Sequence, residues 1–318
     1  MTATTAEALQ LEPVATEKPI SQWGLAWRRL RRHRLAMIGL YILGAIVVAS
    51  LLAQWIAPYD YEEINLNQSF TPLMSAGEPG RPVHYLGTDK LGRDILSRLL
   101  YAGRISLGVA LIVELLAITL GAIVGAVAGA FGRAVDTVLM RFADVMLTLP
   151  TLPLLLVLSS SLRQFVGLQK FLGSSLSVAI IVFVLVIFGW MGVARLVRGS
   201  VLSLREQNFI EATRALGGGQ KRIIFNHLIP NSLAPIIVAA TLGFGGVIIS
   251  ESALSFLGFG IMPPVPTWGN MLNEARNSPL EYLFVQALSP GFCIFITVLC
   301  VNFLGDGLRD ALDPRLKL

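Results

Sequence analysis

Between two long apolar runs the chain reads "EATRALGGGQKRIIFNHLIPN", Glu211–Asn231, a polar, basic stretch broken by three consecutive glycines. It sits in a 318-residue sequence that is 54% hydrophobic, and that contrast decides the fold. Asn208–Leu216 fits a short helix, because Phe209, Ala212, Thr213 and Leu216 recur at spacings that share one face. Gly217 suits the left-handed C′ position that ends such a helix. "QKRIIFNHLI" then fits a second helix, with Pro230 marking the boundary before the next apolar run. The spacing predicts a helix–turn–helix peg outside the bilayer. Ala212 and Ala215 allow close backbone approach, and Glu211 offers a carboxylate to a basic partner. The alternative is a loop lying on the membrane with its basic residues on lipid.

Working outward, only 14% of residues are charged, against roughly 25% in soluble domains, and the mean hydropathy is +0.68. Apolar runs of the ~20 residues needed to cross a bilayer recur. Spans are expected near 35–57, 105–131, 138–160, 171–194, 234–256 and 286–304. Backbone hydrogen bonding in lipid makes them helices. The fold class is therefore all-α, a polytopic membrane protein with six transmembrane helices. The net charge of +5 reports topology and lipid contact rather than nucleic acid. Cys293 and Cys300 lie seven apart in one run, roughly 10 Å along a helix, too far for a disulfide. The scattered histidines and cysteines suggest no metal set. The first 20 residues are polar, and the apolar run after the arginine cluster is too long for a cleaved signal.

Orientation follows from lysine and arginine. With the N-terminus inside, 17 of the 25 basic residues fall on inner segments, weighted by "RRLRRHR" (Arg28–Arg34) beside the first span. Both termini and the Glu211–Asn231 stretch are expected to be cytoplasmic. The loops 58–104 and 257–285 then face outward.

Within the spans, Gly121, Gly125 and Gly129 are four apart and form a ridge for close helix packing, within the chain or against a second subunit. Glu114 lies near the midplane, as a translocation-path residue or a buried structural carboxyl. Glu251, near the outer end of the fifth span, lines a mouth or caps the span in interfacial water. Arg141 and Asp144, three apart, can pair across one helical turn and hold a short 132–137 loop against the peg. Pro150 and Pro153 are expected to kink the third span. Trp268 is either an interfacial anchor or part of an outer docking surface.

The peg also resembles the EAA loop of ABC-importer permeases, with Glu211-Ala212-Thr213, Gly217 and "HLIP" in the family's order. Thr213 replaces the family's second alanine, and His227 replaces a hydrophobic residue. Three further stretches resemble the C-type permease of dipeptide, oligopeptide and nickel importers. They are "LGTDKLGRDILSRLLYAGRISL" (Leu86–Leu107), "ALSFLGFGIMPPVPTWGNML" (Ala253–Leu272) and "LGDGLRDALDPRL" (Leu304–Leu316). The resemblance runs from about Trp27 to the C-terminus.

It implies a type I ABC importer permease fold in a prokaryotic cytoplasmic membrane. The divisions expected are a disordered or amphipathic segment 1–27, a first helix and outer loop 28–104, a five-helix core 105–308 holding the coupling loop 205–231, and a tail 309–318. Glu211, Ala212, Thr213, Arg214 and Gly217 would form the coupling helix seated in an ATPase groove. Implied partners are a second, homologous permease subunit, two ATPase subunits and an extracytoplasmic substrate-binding protein. ATP and Mg would sit on the ATPases, with no cofactor on this chain. "ALGGGQKR" is glycine-rich but lacks the GK[ST] ending of a phosphate-cradling loop.

Short peptides head the substrate classes the resemblance implies, ahead of nickel and oligosaccharide. An ion-coupled secondary transporter is a rival reading, although inverted repeats and several midplane ligands are missing from the sequence. An intramembrane hydrolase is another. It would need HExxH or two facing acids, and Asp306 has no evident mate.

Overall fold

A computed structural model describes residues 22–165, 167 and 172–313. Among them the order is α1 Gln22–Arg32, α2 Arg34–Leu51, α3 Ile95–Phe131, α4 Arg133–Thr148, α5 Thr151–Arg163 and α6 Leu176–Leu204. Then follow α7 Asn208–Ala215, α8 Gln220–Ile223, α9 Leu233–Phe256, α10 Trp268–Ala275 and α11 Leu280–Leu312. No named strand occurs among the described residues. Five of these helices are long and apolar enough to cross a bilayer, or six spans when the bent pair α4–α5 counts as one. The expected start of the fourth span, near 171, lies outside the described residues.

Helices in lipid gain nothing from burying apolar surface against one another, so close packing must hold them. α3 and α6 solve this with small residues. A Cβ added at Gly121 would lie 2.6 Å from the Trp190 carbonyl oxygen, and one at Gly129 would lie 2.7 Å from Val201. At Gly125 it would collide with the Ala194 carbonyl. The ridge therefore packs within this chain. Around it Ala122, Ala126 and Ala130 of α3 meet Val193, Val197 and Val201 of α6.

The third span departs from a simple kink. α4 and α5 meet at 92° across Leu149–Pro150. Pro150 supplies the break, since it lacks an N–H and restricts the residue before it. The expected 132–137 loop is also absent. Gly132, at φ +61° and ψ −163°, a conformation open to glycine and not to other residues, turns α3 directly into α4 together with Arg133 at φ +45°. The proposed Arg141–Asp144 pair does not form. Asp144 instead bonds Arg195 of α6, and Asp136 takes the Arg198 guanidinium at 2.9 Å from Nε. Cross-helix partners outcompete the neighbour on the same turn because α4 lies against α6, with Phe142 stacked on Trp190 at 6.3 Å. At its far end α5 is tied to the 257–261 segment: Ser159 Oγ donates to the Phe259 carbonyl at 2.6 Å, and Arg163 donates to that of Gly260.

The end opposite the peg is held by buried charge. Arg93 Nε donates to Asp89 at 2.7 Å and its NH2 to Glu274 at 2.8 Å. Arg98 NH1 bridges the same two carboxylates. Two cations and two anions thus join the 58–94 loop, the start of α3 and α10. Asp94 caps α3 by accepting from the Ser97 backbone N–H at 2.8 Å, and its other oxygen meets His84 Nδ1 at 2.9 Å. Tyr59 stacks on His84 with ring centroids 4.3 Å apart.

Two expectations are corrected here. Trp268 is neither an interfacial anchor nor an exposed docking residue. It is buried, with Nε1 donating to the Leu99 carbonyl at 3.2 Å. Glu251 neither lines a mouth nor meets interfacial water. Its carboxylate is wholly buried and accepts hydrogen bonds from Ser255 at 2.7 Å and Ser106 at 3.4 Å. Small hydroxyl residues on neighbouring helices let a polar group hide inside the bundle.

The first and last described helices, α1 and α11, meet on the peg side. Ala26 and Leu30 of α1 pack on Leu304, Leu308 and Ala311 of α11. Arg29 donates to the Asp313 carbonyl at 2.8 Å. Residues 22–27 are thus helical and docked, and 309–312 continue α11 instead of forming a tail. Residues 1–21 and 314–318 lie outside the described residues.

Three substitutions test these joints. Gly125→Val drives a side chain into α6 and should lower stability by about 1–3 kcal/mol. Gly108→Ala on the same helix meets open space and should be neutral or stabilising by up to about 1 kcal/mol. Arg98→Met leaves Asp89 and Glu274 facing each other with only Arg93 between them. It should cost about 3–5 kcal/mol, seen as a lowered Tm in detergent-solubilised protein. Equal melting of both glycine variants, or no loss in Arg98→Met, would contradict the packing described.

Candidate functional site: a docked hairpin and a carboxylate cavity

The hairpin is built from α7, a glycine turn and α8. Gln207 is extended at φ −82°, ψ 144°, which starts α7 abruptly after α6. The helix ends at Leu216, with Gly217 at φ +80°. Gly217 N–H donates to the Arg214 carbonyl and Gly218 N–H to that of Thr213, both at 2.9 Å, which is a Schellman closure. Gly219 then leads into α8, which continues through a widened π turn, Ile224–Leu228, to Ile229–Asn231. That turn accommodates Pro230, which cannot donate into the ladder.

What fixes the hairpin is a residue that periodicity alone did not single out. Ile210 is fully buried, together with Ile223, Ile224 and Leu228, against Ala126, Ala130, Val197 and Val201. Arg205 adds a bond to the Gly129 carbonyl at 3.2 Å. The opposite face is free. Glu211, Ala212, Arg214 and Ala215 are exposed, and Leu216 at the tip is 89% exposed. Among the described residues the Glu211 carboxylate has no hydrogen-bond or ionic partner. Thr213 bonds its own helix, its Oγ1 donating to the Phe209 carbonyl at 2.7 Å. Its extra methyl packs toward Gly218, so it tightens the turn and leaves the free face to its neighbours. The local sequence accounts for both faces: an isoleucine pointing down, and small, charged and one large apolar residue pointing out.

Glu114 stands about halfway along α3, 92% buried. It borders a cavity of about 380 Å³ between α3, α5, α6 and α9, which Thr151, Gly189, Gly243 and Ser250 also line. It also borders a recess of about 300 Å³ on the α2 and α11 side, lined by Leu43, Leu111 and Phe244. A Cβ at Gly243 would lie 2.7 Å from Glu114 Oε2, so glycine makes room for the carboxylate. Glu251 and the Gly121–Gly129 ridge are not part of this site. No group of three or more potential metal ligands occurs among the described residues.

Comparison with known proteins converges on one family. Residues 117–318 match the binding-protein-dependent transport system inner membrane component, and residues 21–72 match the N-terminal TM domain of oligopeptide transport permease C. A dipeptide transport system permease protein of Alkalihalophilus pseudofirmus is 40% identical over 305 residues, 94% of this chain and 91% of that protein. Glutathione transport system permease proteins of Escherichia coli O6:K15:H31 and Shigella boydii are 40% identical over 299 residues, 93% of this chain and 91% of theirs. The chain therefore belongs to the inner membrane components of binding-protein-dependent transport systems, and it is a C-type permease of an ABC importer.

Proposed function

We propose that this chain is one of two non-identical, homologous permease subunits of an ABC importer for short peptides. Both termini and the α7–α8 hairpin lie on the cytoplasmic side in this reading. A binding protein delivers substrate to the opposite face, where the 58–94 loop and α10 are braced by the Asp89–Arg93–Arg98–Glu274 cluster. Two ATPase subunits, carrying ATP and Mg, dock under the hairpin. Hydrolysis belongs to them, and covalent chemistry is assigned to no residue of this chain.

The observation that carries the reading is the two-sided hairpin. Its buried face, through Ile210, is anchored to the ends of α3 and α6, so a push on the hairpin is a push on those helices. Its free face offers a projecting Leu216 and an unpartnered Glu211. Three large apolar side chains left exposed on one hairpin, Phe209, Leu216 and Phe225, fit an interaction site. The bilayer-hugging alternative would set basic residues toward lipid and gives no reason for a Schellman-closed tip. Peptide as cargo draws on the dipeptide and glutathione permeases to which the chain is 40% identical. Glu114, beside its cavity, is the translocation-path residue of this reading.

Purification of the intact complex in mild detergent tests the assignment. Leu216→Asp touches nothing buried, so the permease should fold normally while ATPase recovery falls at least tenfold. Gly217→Pro forces a φ near −65° where +80° is needed and removes the N–H to Arg214, and it should also release the ATPases. Glu211→Ala should weaken coupling, read as substrate-stimulated ATP hydrolysis. Full recovery of coupled ATPases with Leu216→Asp would sink the hairpin's role.

A further inference from the structure

We propose that the Glu114 cavity is a binding subsite for the protonated amino group of the transported peptide, an inference that rests on the importer reading above. Three observations converge on it. The Glu114 carboxyl is 92% buried, yet among the described residues it has no hydrogen-bond or ionic partner. By contrast Glu251, in the same bundle, is satisfied by Ser255 and Ser106. Second, the space beside Glu114 is made by absent side chains. Gly192 and Gly246 face open space, and Gly243 yields to the carboxylate itself. The resulting volume of about 380 Å³ falls within the roughly 300–1,000 Å³ of small-ligand pockets. Third, no basic side chain lines the cavity, whose remaining polar groups include the hydroxyls of Thr151 and Ser250.

An ionised carboxylate without a partner is costly in a low-dielectric interior, and an incoming cation removes that cost. The cation is best supplied by the cargo. A metal ion such as calcium asks for six or more oxygen ligands, and this cavity offers one carboxylate and two hydroxyls. A primary ammonium is a compact point charge that a single carboxylate can pair with, and Glu114 supplies that carboxylate, with the hydroxyls of Thr151 and Ser250 elsewhere on the same wall. The rest of the lining is apolar, from Leu155, Leu185 and Phe188, and suits a short side chain. Glu114 would also repel the peptide's own carboxylate, so the amino end is the one held. The neighbouring recess is apolar apart from Thr241 and Glu114 itself, and so the ammonium is assigned to the Thr151 and Ser250 side.

The test uses the complete importer in proteoliposomes, with a dipeptide and its desamino analogue at concentrations that saturate the binding protein. Saturation, checked by binding-protein fluorescence, removes selection before the membrane. The wild type should carry the amine form at least tenfold faster than the desamino form. In Glu114→Gln that ratio should fall to about one, while the complex keeps its subunits and its Tm. Glu114→Asp, which retains charge but withdraws it by one methylene, should give a ratio lowered at least threefold. It decides the matter should the glutamine variant fail to assemble. An unchanged ratio in either assembled variant, or equal transport of both compounds by the wild type, would overturn the subsite. No ATP-driven uptake of either compound by the wild type would instead bring down the importer reading.

Discussion

Contact at backbone distance between α3 and α6 is the constraint on which the remaining structure depends. In lipid, two apolar helices have little reason to meet unless their surfaces interlock. Gly121, Gly125 and Gly129 remove the side chains that would hold α6 away, so the Trp190 and Ala194 carbonyls sit where Cβ atoms would stand. The hairpin and the Glu114 cavity are both placed by that seam. Its lower end forms the seat for Ile210 and the hairpin. Farther along, Glu114 of α3 and Gly189 and Gly192 of α6 border the same cavity. α4 in turn is set across α6 by the Asp136–Arg198 and Asp144–Arg195 pairs.

The two ends of the bundle are held by different physics. At the hairpin end the joint is apolar, a cluster of branched aliphatic side chains against alanines. At the opposite end it is ionic and buried, with Arg98 and Asp89 almost without exposure. Buried charge pairs are poor sources of net stability but demanding about geometry, because losing one member strands the others. The 58–94 loop has little regular structure, and such a network gives it one shape. An apolar joint tolerates some sliding, whereas the ionic one does not.

Much of this was legible from the residues. Apolar runs longer than ~20 residues leave few options besides spanning helices, and Gly217 at the helix end announced its own backbone angle. The glycine ridge was legible as close packing, although its partner was not, because spacing on one helix says nothing about which neighbour fills the groove. The same limit misled the reading of Arg141 and Asp144. Sequence proximity made them partners, while Arg195, some fifty positions away, had the better geometry. Glu251 was placed near the membrane surface by counting along a span, and Trp268 by its position in the 257–285 loop. Both are drawn inward by contacts with Ser106 and Leu99 on a distant helix. Glu114 stood out as a lone carboxylate, but the glycine that accommodates it is 129 positions further on.

The right-angled break at Leu149–Pro150 turns α5 into a lever. Its far end is fastened to the 257–261 segment through Ser159 and Arg163, and at the end beside Pro150 Thr151 forms part of the cavity wall. Thirteen residues of helix make an arm of roughly 20 Å. A tilt of only about ten degrees at the fastened end sweeps the other by roughly 3 Å over that length, about the diameter of a water molecule. Because the bend uncouples α5 from α4, the sweep need not drag α4 away from α6. A small displacement on one side of the membrane can thereby widen or pinch a space at its centre while the seam between α3 and α6 stays shut.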